Sequence, residues 1–380
     1  MTDLRSYFSQ LEPSLIEWLT DLVNFDSPSG NKAALDALAR KLAGHFERCG
    51  ATLRWVPNSD TGDHLLVRFE GDASKAPVLI LGHLDTVWEI GEAERRPARL
   101  EDGKLFGPGA FDMRGGLTLM MGAASYVSSH PGQLQRPVTL LLSSDEEVGS
   151  HTSRSLIEAE GRRHGLVLVL EPCLPGGALK TARKGVGTVM ITARGVASHA
   201  GVDYARGVSA IREMAHQIGR IYQMNDPDKG TTLNVGVIRG GTRSNVVAER
   251  AEMEVDFRVW TAEEGQRIER ELRELTPTVE GTTLEVTGGL NRPPLERSPA
   301  TIKLFQRAKS LAAEIGLELQ EGSTGGGSDG CFTAALGIPT LDGLGPDGAG
   351  PHALHEHVLV ESLAPRAALL TQLILNLDAG

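Results

Sequence analysis

Val78-Leu79-Ile80-Leu81-Gly82-His83 is an unbroken apolar run that stops on an imidazole, and Leu84-Asp85-Thr86-Val87 follows it. Two more segments are built the same way. Leu140-Leu141-Leu142 runs through Ser143-Ser144 into Asp145-Glu146-Glu147, and Leu166-Val167-Leu168-Val169-Leu170 stops on Glu171. A strand with no polar alternation is buried on both faces, as in parallel sheets covered by helices. Helical spacing surrounds these runs. Leu15, Ile16, Leu19, Leu22 and Val23 predict a helix over 12–25, and Leu35, Leu38, Leu42 and Phe46 a second over 31–49. Helices are also expected over 113–128 and 151–163, with short strands over 53–56 and 65–69. The expected fold class is α/β: a mixed, mostly parallel sheet sandwiched by helices.

The texture changes near residue 183. Strands over 187–193, 231–238, 246–259 and 283–287 alternate with helices over 205–224 and 262–275. This β-α-β-β-α-β order predicts a ferredoxin-like α+β domain, with four strands and two helices on one face. After Arg292-Pro293-Pro294 the first texture returns, with helices over 300–315 and 362–377 and a short strand over 339–344. The expected division is therefore 1–182 and 293–380 for a discontinuous domain, with 183–292 inserted into it.

At 380 residues the chain is long enough for two domains. Its 38 basic and 49 acidic residues give a net charge of −11, without a Lys/Arg block, which argues against a nucleic-acid partner. Cys49, Cys173 and Cys331 are too few and too far apart for a disulfide framework. The start, MTDLRSYFSQLEPSLIEWL, lacks the marks of a signal peptide, and no apolar stretch approaches the ~18 residues of a membrane span. A cytoplasmic protein without a membrane partner is expected.

The chemistry lies where apolar runs give way to loops. His83, Asp112, Glu147, Glu171 and His352 are all zinc-binding residue types, and two imidazoles with three carboxylates suit a two-zinc hydrolytic site. Asp85, two residues past His83, can hold the second ring nitrogen of a metal-bound histidine; a surface His-x-Asp pair is the plain alternative. Asp112 lies in GPGAFDMRGG (107–116), where an ordinary helix N-cap competes with a bridging carboxylate. Adjacent Glu146 and Glu147 repel one another unless a dication is near. In that case Glu147 coordinates and Glu146 serves as general base. Glu171 at the end of an apolar strand is costly unless it caps a loop or meets a cation. His352, His355 and His357 compete for the last ligand position, and the glycine-rich 345–350 turn favours His352. His199 in SHAG reads equally as a capping or surface histidine. Arg292 suits a carboxylate grip, or a hinge salt bridge.

Taken in order, GHLDTV, GPGAFDMRGG, SSDEEVGS, LEP, SHAG, GGTRSNVV, NRPP, GGGSDG and GAGPHALHEHV cover nearly the whole chain. The chain resembles the co-catalytic zinc metallopeptidases that include glutamate carboxypeptidase of the G type, acetylornithine deacetylase and succinyl-diaminopimelate desuccinylase. The LEP, GGGSDG and NRPP segments resemble the glutamate carboxypeptidase branch most. The resemblance implies two Zn2+ per subunit, with Co2+ or Mn2+ as alternatives. Asp112 would bridge them, with His83 and Glu171 on one ion and Glu147 and His352 on the other. It further implies Glu146 as base, Asp85 orienting His83, and the inserted domain as lid and homodimer contact. His199 would reach the partner subunit's site with Asn245 nearby, and Arg292 and the backbone of Gly325, Gly326 and Gly327 would hold a substrate carboxylate. The implied activity is release of a glutamate-like C-terminal amino acid from a small peptide or N-acyl amino acid. The alternatives are an N-acyl-amino-acid deacylase and a catalytically silent binding homologue. An aminopeptidase is disfavoured, because such enzymes commonly lack the inserted domain.

Overall fold

The computed structural model describes residues 3–378 and divides the chain into two compact units. One comprises the chain up to Thr181, Arg297–Ser323 and Ser328 onward; the other comprises Ala182–Glu296 and Thr324–Gly327.

In the first unit the apolar runs become neighbouring strands. The six-stranded sheet has the order Thr52–Val56, His64–Phe69, Val138–Ser143, Val78–His83, Leu166–Val169, Thr340–Leu341. The last four are mutually parallel, and His64–Phe69 runs antiparallel to Val138–Ser143. Alternate side chains feed two cores. Leu65, Val67, Ile80, Leu140, Leu142 and Leu168 join the larger, which the helices Leu4–Val23, Lys32–Arg48, Gly115–Ser129, Pro299–Glu314 and Leu363–Asn376 cover. Leu79, Leu81, Leu141, Val167 and Val169 face Ile157 and Phe332 on the other side. A strand buried on both faces has no use for polar alternation, which is why these runs read as unbroken.

Two of the departures from the expectation have a clear physical reason. The first helix starts at Leu4, not at Glu12, and contains Pro13. Leu4 and Phe8 continue the buried stripe of Leu15, Leu19 and Leu22. Pro13 is exposed, and so is Ser9, whose carbonyl loses its helical donor, so water can replace the missing bond. The second departure is a small antiparallel sheet of Gly348–Ala349, His357–Leu359, Lys104–Phe106 and Arg99–Glu101. Its strands are too short to show a period.

The second unit is an antiparallel sheet in the order Thr232–Gly240, Arg250–Val259, Gly185–Arg194, Thr283–Arg292. Val189, Ile191, Met253, Val255 and Phe257 pack under Met214 and Ile221 of the helix Ala210–Tyr222 and Ile268 and Leu272 of the helix Ala262–Arg273. The strand expected over 246–259 is split into Val246–Val247 and Arg250–Val259. Among the described residues, no helix is long and apolar enough to cross a membrane.

In this unit Arg267 beside Glu264 holds its carboxyl down at about 2, helped by the Thr231 hydroxyl at 2.9 Å. A depressed carboxylate stabilises the fold above the ordinary glutamate pKa, and that stability is lost as pH falls toward the folded value. The Glu264→Gln variant should therefore lose less stability than the parent between about pH 4.5 and pH 2. Denaturation midpoints measured across that range check this, and identical acid limbs would contradict it.

Candidate metal centre

The three central strands deliver their acids and imidazole to one edge. His83 is the last residue of its strand, Glu171 follows Val169 by two residues, and Glu147 sits in the short turn Glu146–Val148 after Ser143. The carboxyl edge of parallel strands is where α/β sheets place their sites. Asp112 and His352 come from loops. Asp112 precedes the helix Gly115–Ser129 with extended backbone (φ −114°, ψ 95°), and that helix has no side-chain cap, so Asp112 is not its N-cap. The Asp112–Met113 peptide is cis. His352 adopts a left-handed backbone, with φ at 62°. For a non-glycine residue such a conformation is uncommon and concentrates at functional sites.

These side chains converge. His83 Nε2 lies 3.2 Å from Asp112 Oδ1 and 3.6 Å from Glu171 Oε1. His352 Nε2 lies 3.1 Å from Glu147 Oε2 and 3.5 Å from the other oxygen of Asp112. His83, Asp112 and Glu147 each offer a donor atom within 4.8 Å of one another, and His83, Glu146 and Glu171 do the same. Asp112 thus faces one imidazole with each oxygen.

Asp85 organises the surroundings in two ways. Its backbone carbonyl is 2.9 Å from His83 Nδ1, and its carboxylate is 3.4 Å from the same atom. With Nδ1–H donating to that carbonyl, Nε2 turns a lone pair to the carboxylates. The Asp85 carboxylate itself accepts from the backbone N–H of Glu146 at 3.1 Å, that of Glu147 at 3.0 Å and the Ser29 hydroxyl at 2.7 Å. It thereby fixes the turn that carries both glutamates.

The electrostatics share one cause, acceptors facing acceptors. Burial opposes protonation of His83, but Asp112 and Asp85 outweigh it and hold the ring well above its usual range. Asp112 and Glu147 push His352 up to about 10. Burial raises the Asp112 carboxyl, yet His352 and His83 hold it well below the usual range. Burial drives Glu147 upward, and among the described residues its buried Oε1 has no hydrogen-bond partner. A divalent cation would satisfy the orphaned oxygen and the imidazole lone pairs together, so the donor set fits divalent metal.

Glu356, four residues beyond His352, is a site residue that the sequence reading did not assign. It is 1% exposed and accepts from the N–H groups of Gly109, Phe111 and Asp112 and from Trp88 Nε1. Burial pushes its carboxyl up to about 7, against those donors. Its signal is an acid in a segment otherwise short of charge.

The remaining expected residues lie in the second unit. His199 is exposed, and its Nδ1 accepts from the N–H groups of Gly201 at 3.1 Å and Val202 at 3.2 Å. Ser198–His199 pairs with Val246–Val247, and the Asn245 carbonyl accepts from Ala200 N–H at 2.9 Å. Arg292 is buried, with Gly327 against its side chain. Arg183 donates to the carbonyls of Gly326 and Gly327, and Arg258 to that of Gly325.

A family profile described as peptidase family M20/M25/M40 matches residues 79–376, and the chain belongs to that family. The family is metal-dependent, and the chain is a hydrolase of the metallopeptidase type. Carboxypeptidase G2 of Pseudomonas sp. (strain RS-16) is 28% identical over 376 residues, covering 97% of this chain and 90% of that protein. A succinyl-diaminopimelate desuccinylase of Stenotrophomonas maltophilia is 30% identical, covering 79% and 84%. Among solved structures, the aminopeptidase PepT of Bacillus cereus matches with a TM-score of 0.75 at 22% identity, covering 96% of this chain and 98% of that one. That match corrects one expectation. A chain described as an aminopeptidase shares the fold over nearly its full length, so the inserted unit does not argue against an aminopeptidase.

Close backbone approach holds the glutamate end of the sheet in place. A Cβ on Gly116 would lie 2.1 Å from the Leu170 carbonyl oxygen, directly before Glu171. Gly116→Ala should therefore destabilise the fold by about 1–3 kcal/mol, read as a lowered thermal midpoint. An unchanged midpoint would show that this strand end yields freely.

Proposed function

We propose that the chain hydrolyses an amide bond to release a C-terminal, glutamate-like amino acid from a peptide or N-acyl amino acid. The observation that carries this reading is Asp112 set between two imidazoles, with Glu147 bearing an orphaned buried oxygen. In this reading the chain binds two divalent ions, zinc first and Co2+ or Mn2+ as substitutes. His83, Asp112 and Glu171 would hold one ion, and Asp112, Glu147 and His352 the other. When bound, the ions would polarise the scissile carbonyl and lower the pKa of an attacking water toward ~7.

The rest falls to the chain's own residues. Glu146 takes the water proton and returns it to the leaving nitrogen. Asp85 keeps Glu146 and Glu147 in register through their backbone N–H groups. His199 accepts two backbone N–H bonds at Nδ1, which leaves an Nε2–H to donate to the developing oxyanion. Arg292, helped by the backbone of Gly325, Gly326 and Gly327, grips the substrate carboxylate, and Asn245 stands by His199. The second unit acts as lid and homodimer contact, with His199 serving the other subunit. Val237 and Ile238, exposed on the edge strand Thr232–Gly240, support that contact. Likeness to carboxypeptidase G2 over nearly the whole chain supports the carboxypeptidase branch. Relatives named for deacetylation and desuccinylation support a second reading, an N-acyl-amino-acid deacylase.

With zinc restored, N-acyl-glutamates should be cleaved in preference to acetylornithine. Much faster cleavage of acetylornithine would favour the second reading. Glu146→Gln should lower kcat by about 10²–10⁴-fold with metal content unchanged. Unaltered turnover would remove Glu146 from the mechanism.

A further inference from the structure

Asp112 reaches one imidazole with each of its oxygens, so the separation of the two halves of the centre depends on where its loop is held. That loop is a single irregular turn, Ala110–Arg114, whose backbone leaves helical angles at Asp112 and Met113. Its backbone N–H groups at Gly109, Phe111 and Asp112 lie 2.9, 3.1 and 3.0 Å from the carboxylate oxygens of Glu356. The same carboxylate takes Trp88 Nε1 at 3.0 Å, in the segment just past His83 and Asp85.

Glu356 also closes the turn that presents His352. Its own N–H donates to the Ala353 carbonyl at 3.0 Å, and Ala353 N–H donates to Gly350 at 3.0 Å. Its carbonyl accepts from Gly107 N–H at 3.2 Å. The pairing of His357 with Phe106 in the small sheet brings this residue alongside the Asp112 loop. One buried side chain thus ties together the segment after His83, the Asp112 loop and the His352 turn.

A carboxylate is an expensive way to brace loops beside an already acidic centre. Its advantage is acceptor capacity, since each oxygen takes two N–H groups here. A glutamine would offer one acceptor oxygen and turn an NH2 group against two donors. We propose that Glu356 is a positioning residue of the metal centre, setting the distance between Asp112 and His352 and so the spacing of the two ions. This rests on the two-ion reading above.

The test is titration of metal-free protein with Zn2+ by calorimetry, and with Co2+ by visible absorption, for the parent, Glu356→Gln and Glu356→Asp. Groups that orient ligands typically change metal affinity about 10–100-fold when replaced. Glu356→Gln should weaken the second ion by about that factor and alter the Co2+ spectrum. Glu356→Asp keeps the charge but retracts it by a methylene, and should fall between Gln and the parent. Should the Gln variant fail to fold, the Asp variant gives the same readout. Parent-like affinity and spectrum in a folded variant, even one with lowered thermal stability, would make Glu356 a structural brace only and overturn the proposal. A parent chain that binds fewer than two ions would instead overturn the two-ion reading, before any variant is compared.

Discussion

Carboxylate oxygens and imidazole lone pairs crowded at one edge of a sheet repel one another, and everything else in the first unit accommodates that repulsion. Asp112, Glu147 and Glu171 lie around His83 and His352 at distances of 3.1 to 3.6 Å. His352 stands half exposed, but His83, Asp112, Glu147 and Glu171 are largely shielded from water, where unpaired charge is costly. Protons can relieve it on the imidazoles, which is why both rings sit above their usual range. A dication would relieve it more fully, because it would also satisfy the Glu147 oxygen that has no partner among the described residues. The metal-dependent family to which the chain belongs agrees with that chemistry.

The scaffold reads as a means of bearing this cost. Parallel strands buried on both faces form a stiff floor, and three of them end on acids or an imidazole at the same edge. Asp85 pins the Glu146–Glu147 turn and Glu356 pins the Asp112 loop, each through backbone N–H groups. Glycines serve where chain must touch chain. Gly116 passes so close to the Leu170 carbonyl, and Gly345 to those of Leu170 and Glu171, that a side chain would not fit. Such glycine-rich segments are the counterpart of a site built from strand ends and loops rather than from one helix face.

Much of this was legible in the chain. The unbroken runs 78–82 and 166–170 read as doubly buried strands, with His83 and Glu171 at their ends. Asp112 alone read as a helix cap, and only the structure shows a helix that starts later and carries no side-chain cap. The start of the first helix was missed because Pro13 looks like a first-turn residue, although Leu4 and Phe8 carry the same buried stripe. The small sheet was missed because strands of two or three residues leave no period to read. With it went the role of Glu356, since nothing local says that an acid at 356 lies beside N–H groups at 109–112.

Whether Asp112 lies between two cations decides the chemistry of this site. Anomalous diffraction from zinc-soaked crystals, recorded on both sides of the zinc edge, tests this directly. Two peaks flanking the Asp112 carboxylate are predicted, one beside His83 and Glu171 and the other beside Glu147 and His352. A single peak, or a pair that leaves His352 or Glu171 without an ion, would contradict it.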